Sequence, residues 1–252
     1  MSTKILSAVI SVHNEEKQLA DCLKTLAFAD EIVVLLDKCT DGSEKVAKKF
    51  TKNIVPGSWA IEGERRNAGI AACTGDWIFE IDADERVPED LAREIRKTVE
   101  TTTFDWHEIL VDNYVGERLV RWGWGASFGK AAYPGLFRKG VKVWGDQRVH
   151  PSLQWYGQKG PMLSARLVHY VDRNISDMIR RLDNYSTARA KDLRQTGKMD
   201  STANNIRRLF SRFVKCYVFR KGYREGGYGL VIAICAGLYP LLSHLKAKLE
   251  KD

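Results

Sequence analysis

Short apolar runs rich in β-branched residues recur through the first hundred positions, and each gives way to polar residues at its carboxyl end. A chain with that rhythm, and with helical periodicity between the runs, has few folds open to it. The first run is Leu6–Val12, followed by His13-Asn14-Glu15-Glu16; the second is 31–36, ending at Asp37; a third, 77–81, delivers Asp82 and Asp84. Residues 53–55 make a possible short strand as well. From about 15 to 26, Leu19, Cys22, Leu23 and Leu26 recur at three- and four-residue spacing, which predicts an amphipathic helix. Asp41-Gly42-Ser43 opens another helix through residue 50, and 62–73 a further one, stopped by Thr74-Gly75. After Pro88, Leu91, Ile95 and Val99 mark the inner face of a helix beginning at Glu89. Strand alternating with helix predicts an open, mostly parallel α/β sheet, in which ligands gather outside the carboxyl ends of the strands. Asn14, Glu15, Asp37, Asp82 and Asp84 all fall at such ends, so three strands deposit polar groups on one rim.

The pair Asp82-Ala83-Asp84 is the most chemically specific feature of that rim. Residues two apart on an extended backbone point the same way, so both carboxylates could approach one hard cation that keeps positions open for phosphate oxygens. An isolated pair of this kind is usually a solvated turn; its place at the end of an apolar strand, beside two other polar strand ends, favours a diphosphate site.

Beyond residue 102 the texture changes. Trp106, Tyr114, Trp122, Trp124, Phe128, Tyr133, Phe137, Trp144, Trp155 and Tyr156 are interleaved with glycines, which suggests short antiparallel strands and loops over the same rim, with aromatic faces suited to sugars or to packing. Residues 173–195 form a charged helix with Ile175, Met178, Ile179, Leu182 and Tyr185 on one face, broken at Thr196-Gly197. Ser201 or Thr202 caps another, to about residue 219, in which Arg207, Arg208, Arg212, Lys215, Arg220 and Lys221 alternate with Leu209, Phe210, Phe213, Val214 and Tyr217. The run 226–243 then carries no formal charge and is just long enough to span a bilayer, though Pro240 and its glycines make it a weak span. Cations beside an uncharged aromatic run read as an interfacial anchor on anionic lipid; the alternative is a helical hairpin packed on the domain or forming a homodimer. The texture thus divides the chain into 1–102, 103–172 and a membrane-associated helical extension, 173–252.

Charge and cysteine usage bear on partners and compartment. Lys and Arg exceed Asp and Glu by 40 to 32, a net +8, which permits nucleic acid, anionic lipid or a phosphorylated substrate. The five cysteines are scattered with no metal-binding spacing, which fits a reducing cytoplasm, and the first strand reads as a strand and not as a signal peptide.

With the strand ends assembled, the first hundred residues resemble the family 2 glycosyltransferases, inverting enzymes of the GT-A fold that use nucleotide sugars. The resemblance rests on four ordered motifs: 8–16, Asp37 with 39–43, Arg66-Asn67-Ala68-Gly69-Ile70 with Gly75-Asp76, and Ile81-Asp82-Ala83-Asp84-Glu85. It implies that Ser11, His13, Asn14 and Glu15 line the nucleoside pocket and that Asp37 accepts a hydrogen bond from uracil or another base. Arg66, Asp82 and Ala83 would lie against the donor, and Asp84, helped by Asp82 directly or through water, would hold Mg2+ or Mn2+ against the diphosphate. His169 would complete the metal shell or cap a strand. Ser11 stands where proline is commoner, His13 where tyrosine is, and Lys38 where a second aspartate is usual; Lys38 is expected to point to solvent. Phe137-Arg138, the stretch 144–151, Leu167-Val168-His169-Tyr170 and the helix 185–198 look like bacterial lipopolysaccharide core glycosyltransferases, including those that add a β-glucose, although Pro151 replaces a usual glutamate.

That resemblance implies transfer of glucose or a related hexose from a donor, expected to be UDP-linked, to a lipopolysaccharide core or other lipid-linked saccharide, on the inner face of a bacterial inner membrane. Inverting transfer needs a base for the acceptor hydroxyl; Asp146 is the first candidate and His150 the second. Two other classes compete. A nucleic-acid-binding protein would use the basic helices, but cations set beside an uncharged aromatic run suit lipid better. A nucleotidyltransferase would show a glycine-rich phosphate loop after the first strand, and His13-Asn14-Glu15-Glu16 is not one.

Overall fold

The computed structural model describes residues 5–125, 127–147 and 151–250. They fall into two compact units, the first made of 5–111, 132–147 and 151–169, the second of the described residues in 112–131 together with 170–250.

The first unit is built on a sheet whose central strand, β1 (Leu6–Val12), lies between β2 (Glu31–Asp37) and β4 (Trp77–Asp82), both parallel to it. β3 (Asn53–Gly57) pairs in parallel with β2. Beyond β4 the direction reverses: β8 (Ala132–Arg138) pairs antiparallel with β4 and with β6 (Trp106–Val115), and β11 (Leu163–Asp172) pairs antiparallel with the edge strand β5 (Glu85–Arg86). The strand order is β3-β2-β1-β4-β8-β6-β11-β5, with a separate ribbon of β9 (Lys142–Trp144) and β10 (Leu153–Trp155); β7 (Arg118–Val120) pairs with residues 113–115 at the end of β6, which like it belong to the second unit. The apolar runs of β1 and β4 reflect burial on both faces. Alternate residues divide accordingly: Ala8, Ile10, Phe79 and Ile81 pack with Leu19, Leu23, Leu91 and Ile95, whereas Val9 and Ile78 pack with Val33, Leu35 and Phe137.

Four helices cover this sheet: α1 (Leu19–Lys24), α2 (Ser43–Ala47), α3 (Glu62–Ala72) and α4 (Glu89–Thr101). Pro88 precedes α4 in extended conformation, and Glu89 and Asp90 sit in its first turn, where carboxylates meet the positive end of the helix. α3 approaches the strands closely because Gly69 has no side chain; a Cβ there would stand 2.7 Å from Leu35 Cδ1 and 2.9 Å from Val9 Cγ2. α1 is shorter than its periodicity predicts. Asn14 adopts a φ of 56°, its Oδ1 accepts from Thr40 N at 2.8 Å, and Glu15 N donates to Ser43 Oγ at 2.9 Å. The polar residues after β1 therefore tie two loops together in place of a first helical turn.

The second unit packs α5 (Ile175–Thr196), α6 (Thr202–Val214) and α7 (Gly227–Leu249) around Val120, Trp124, Phe128, Met178, Ile232, Ala236 and Tyr239. Asn174 caps α5 through Asp177 N, Gly197 ends it at a φ of 66°, and Ser201 Oγ caps α6 through Asn204 N. A π turn, Lys215–Phe219, follows α6 directly, and a 3-10 turn, Gly222–Glu225, leads into α7. The uncharged run forms α7, which continues through Pro240 and is long and apolar enough to cross a membrane by length and composition. More than half of its most apolar stretch is buried within the protein (56%), as a core helix would be. Several residues of the aromatic cluster are core as well: Trp124 stacks on Phe128, and Phe137 meets Trp155 edge-on.

Candidate active site

The carboxyl ends of β2 and β4 flank that of β1, and their register fixes what stands there. Ser11 is level with Asp82 on one side and with Leu35 on the other, so Asp37 lies two residues further along. With strands ~4.8 Å apart, rising ~3.3 Å per residue, the Asp37 and Asp82 backbones are about 12 Å apart. One rim therefore carries both acidic strand ends, as the sequence pattern requires.

The turn after β4 is held from several sides. Glu85 Oε2 accepts from Asp82 N at 2.9 Å, and Arg86 Nη1 donates to the carbonyls of Ala83 at 2.9 Å and Glu85 at 2.7 Å. Ala83 is itself buried. β5 then pairs with β11, bringing His169 opposite Glu85, and His169 Nε2 lies 3.4 Å from Asp84 Oδ2. The other Asp84 oxygen, Oδ1, is buried with no hydrogen-bond partner. A buried carboxylate oxygen left without a donor is costly, and a cation would satisfy it.

The two aspartates of the motif have different surroundings. Asp82 Oδ1 accepts from Arg66 Nη2 at 3.2 Å, while Arg66 also pairs with Glu62 at 2.9 Å and with Glu80 at 3.2 Å. Burial alone would disfavour the guanidinium charge, but Asp82, Glu80 and Glu62 outweigh it and hold the Arg66 pKa well above its ordinary value. Lys142, also buried, forms an ion pair with Glu80 and lies 4.3 Å from the centre of the Trp144 ring. Among the described residues no three His, Cys, Asp or Glu side chains converge as a closed metal cage. The residues present nonetheless fit a Mg2+ or Mn2+ ion that takes one or two protein ligands, with Asp84 first and His169 next to it, because such ions draw their remaining ligands from phosphate and water.

On the β2 side, Asp37 is buried, and its carboxylate accepts from Trp59 N at 3.0 Å and from Arg65 Nη1 at 3.3 Å. Each oxygen retains a second lone pair for a ligand donor. Arg65 is a partner that sequence reasoning missed, having singled out its neighbour Arg66. His13 is exposed and donates from Nδ1 to the Asp37 carbonyl at 2.6 Å; Asn14 is exposed, and Ser11 and Glu15 are half-buried. Lys38 is exposed as expected, yet its ammonium is tethered to the Trp59 carbonyl at 2.6 Å. The Glu15 carboxyl is pushed up by burial, a shift opposed by the hydrogen bond from Gln18 and reinforced by the charges of Asp84 and Asp41. Glu15 and Asp84 therefore share one electrostatic field.

The segment carrying Asp146 is fastened to α3. Asn67 Nδ2 donates to the Trp144 carbonyl at 2.9 Å and Asn67 Oδ1 accepts from Trp144 N at 3.0 Å, so one side chain clamps the backbone in both directions. Gly63 allows the contact, since a Cβ there would lie 1.7 Å from the Gly145 carbonyl oxygen. Asp146 is exposed and accepts from Gln147 Nε2 at 2.8 Å; Gln147 Oε1 in turn takes Ser152 N at 2.7 Å. His150 lies outside the described residues. Asn67 stood within a quoted motif, but nothing local in the sequence points it at residue 144.

Comparison with known proteins agrees with this geometry. The model of Glycosyl transferase family 2 matches residues 7–145, more than half of the chain. The lipopolysaccharide core biosynthesis glycosyltransferase LpsC of Rhizobium meliloti is 26% identical, the alignment covering 96% of this chain and 91% of that protein. The uncharacterized glycosyltransferase RT0209 of Rickettsia typhi is 24% identical over 92% of this chain and 82% of its own. In fold, the chain is similar to S. aureus TarS 1-349 in complex with UDP, with a TM-score of 0.51 at 11% identity, covering 97% of this chain and 91% of that one. A mixed sheet of GT-A type with its acidic strand ends on one rim, and a family match through all four motifs, lead to one conclusion: the chain belongs to glycosyl transferase family 2.

Proposed function

We propose that the protein is an inverting, metal-dependent hexosyltransferase that moves glucose or a related hexose from a UDP-linked donor to a lipopolysaccharide core or other lipid-linked saccharide. The observation that carries this reading is the rim itself, where Asp37 and Asp82 end the strands flanking β1 and the turn after β4 leaves a buried Asp84 oxygen unsatisfied. Likeness to LpsC, named for lipopolysaccharide core biosynthesis, supports the acceptor class, and the UDP held by TarS supports the donor.

In this mechanism Ser11, His13, Asn14, Glu15 and Asp37 hold the nucleoside, and Asp82 and Ala83 border the diphosphate. Asp82, held by Arg66, would lie beside donor hydroxyls or a water on the ion. A bound Mg2+ or Mn2+, resting on Asp84 with His169 beside it, would neutralise the charge that develops on the departing nucleoside diphosphate. Asp146 takes the proton from the acceptor hydroxyl as that oxygen attacks the anomeric carbon on the face opposite the nucleotide, inverting its configuration. His150 is the second candidate for that proton. An acceptor of this class is anchored in lipid, so the enzyme works at a membrane surface, on the cytoplasmic side where nucleotide sugars are supplied and where five free thiols persist.

The test is a panel of nucleotide sugars assayed for hydrolysis and transfer with Mg2+ or Mn2+. Asp84→Ala should abolish metal-dependent turnover without loss of fold, and unchanged turnover would remove the metal assignment. Asp146→Asn should lower kcat by about 10²–10⁴ with donor affinity preserved, the usual worth of a general base. A normal kcat would transfer the role to His150.

A further inference from the structure

We propose that the outward face of α6, continued through the π turn and the 3-10 turn after it, is a docking surface for an anionic lipid bilayer. This confines membrane contact to the basic half of the anchor expected from sequence and takes it away from the uncharged run 226–243. It shares with the proposed function only the premise of a lipid-linked acceptor, and it can be tested without one.

The surface is apolar where a soluble helix would be polar. Ile206, Phe210, Val214 and Val218 recur every four residues, the spacing of one helical face, and all are exposed, Phe210 by 64%. Phe219 stands 77% exposed at the end of the π turn, and Tyr223 follows it into solvent. α7 is the more hydrophobic helix, yet it places Ile232, Ala233, Cys235, Ala236 and Tyr239 in the core of the second unit. Most of its apolar side chains are thus used in packing, although Leu230 and Ile234 are exposed, whereas α6 packs Phe213 and leaves Ile206, Phe210 and Val214 exposed.

Charge identifies the partner. Residues 202–225 contain seven Lys and Arg and a single carboxylate, Glu225, so they supply +6 of the chain's +8. Glu225 is buried and accepts from the backbone N–H groups of Arg121 and Trp122, which removes it from the surface. Arg207, Lys215, Lys221 and Arg224 are exposed along the apolar face. Lys221 and Arg224 lie 5.3 and 5.5 Å from the Trp122 ring, a half-buried indole between two cations, the composition favoured at headgroup level. A second copy of the chain would bring like charges together across a twofold axis, and a nucleic acid would leave the apolar side chains without a partner. A bilayer with anionic lipids satisfies both, taking cations at the phosphates and Phe210, Val214, Val218 and Phe219 at the acyl boundary.

Flotation of the full chain with phosphatidylcholine vesicles and with equimolar phosphatidylcholine and phosphatidylglycerol tests this directly. The protein should float with the anionic vesicles and be at least about tenfold weaker on the zwitterionic ones, since each Lys or Arg near such a surface is worth on the order of fivefold in partitioning. Phe210→Ser with Phe219→Ser should weaken binding by on the order of tenfold or more at any salt concentration. Lys215→Glu with Lys221→Glu should weaken it at low salt by on the order of 25-fold. Nucleotide-sugar hydrolysis in solution, which needs no membrane, should be unchanged in both variants and reports that they are folded; Phe219→Ser alone serves if the double variant is not. Equal binding to both vesicle types, or wild-type binding by both variants, would overturn the proposal. So would light scattering that finds a dimer without lipid which the Phe210→Ser and Phe219→Ser changes dissociate. Loss of hydrolysis with flotation intact would count against the proposed function and not against this surface.

Discussion

Arg66 offers the sharpest test of how the acidic rim is held together. Its side chain is only 14% exposed and its guanidinium reaches Glu62, Glu80 and Asp82, so Arg66→Met leaves three carboxylates without their common counter-charge. Breaking a buried pair by removing one partner costs about 3–5 kcal/mol, because the remaining charge stays desolvated. The lower end applies, since Glu80 keeps Lys142 and the Asp82 side chain is 31% exposed. A loss of about 3 kcal/mol is a large part of an ordinary stability of ~5–15 kcal/mol. For a chain of this size it should lower the melting temperature by about 6–12 °C. Arg66→Lys should fall between, because a single ammonium cannot present the guanidinium fork to all three acids. Thermal and urea unfolding measure the loss, and a double-mutant cycle with Asp82→Asn isolates the Arg66 to Asp82 contact at about 0.5–3 kcal/mol. An Arg66→Met protein within about 1 kcal/mol of wild type would refute the reasoning, since no buried pair of this kind breaks so cheaply.

Gly63→Ala should move the segment that carries Asp146, because the new Cβ would lie 1.7 Å from the Gly145 carbonyl oxygen. Overpacking of this kind costs about 1–3 kcal/mol, and kcat should fall with donor affinity retained; unaltered kinetics would mean that this contact does not position the base. A second expectation concerns pH. The native Glu15 carboxyl is raised above its ordinary value of 4.5, so the native state holds that proton more tightly and stability falls as pH rises through the raised value. Glu15→Gln should therefore stabilise the protein at neutral pH and not well below 4.5, as read from melting temperatures across a pH series. A stabilisation that is the same at both ends would exclude the charge as its cause.

The strands were legible because burial on both faces favours apolar runs, and Leu6–Val12 and 77–81 are apolar apart from Ser7, Ser11 and Glu80. Their polar ends were legible for the complementary reason that a residue leaving the core must meet solvent or ligand. Pairings between distant segments were not. Arg65 and Arg66 are adjacent on α3, about 100° apart around its axis. Only the packed sheet decides that Arg65 takes Asp37 and Arg66 takes Asp82. The clamp of Asn67 on Trp144, and the β5 to β11 register that brings His169 to Asp84, likewise have no local signal. The aromatic cluster misled in part, because sequence does not distinguish a ring that meets a sugar from one, such as Trp124, that fills a core.

A motif with two identical letters has become two different groups. Asp82 is neutralised by Arg66, which Glu80 and Glu62 share and which Lys142 helps to balance, so its charge is already answered inside the protein. Asp84 has one oxygen buried without a donor, the other near His169, and Glu15 close enough to feel its charge. Equal exposure, 31% and 32%, therefore hides unequal need. On the proposed function, a divalent ion at this rim would gain most from Asp84, where it would satisfy an orphaned acceptor. In the proposed mechanism Asp84 would then be the ready ligand and Asp82 its restrained neighbour, which would leave the ion's other positions open to a diphosphate.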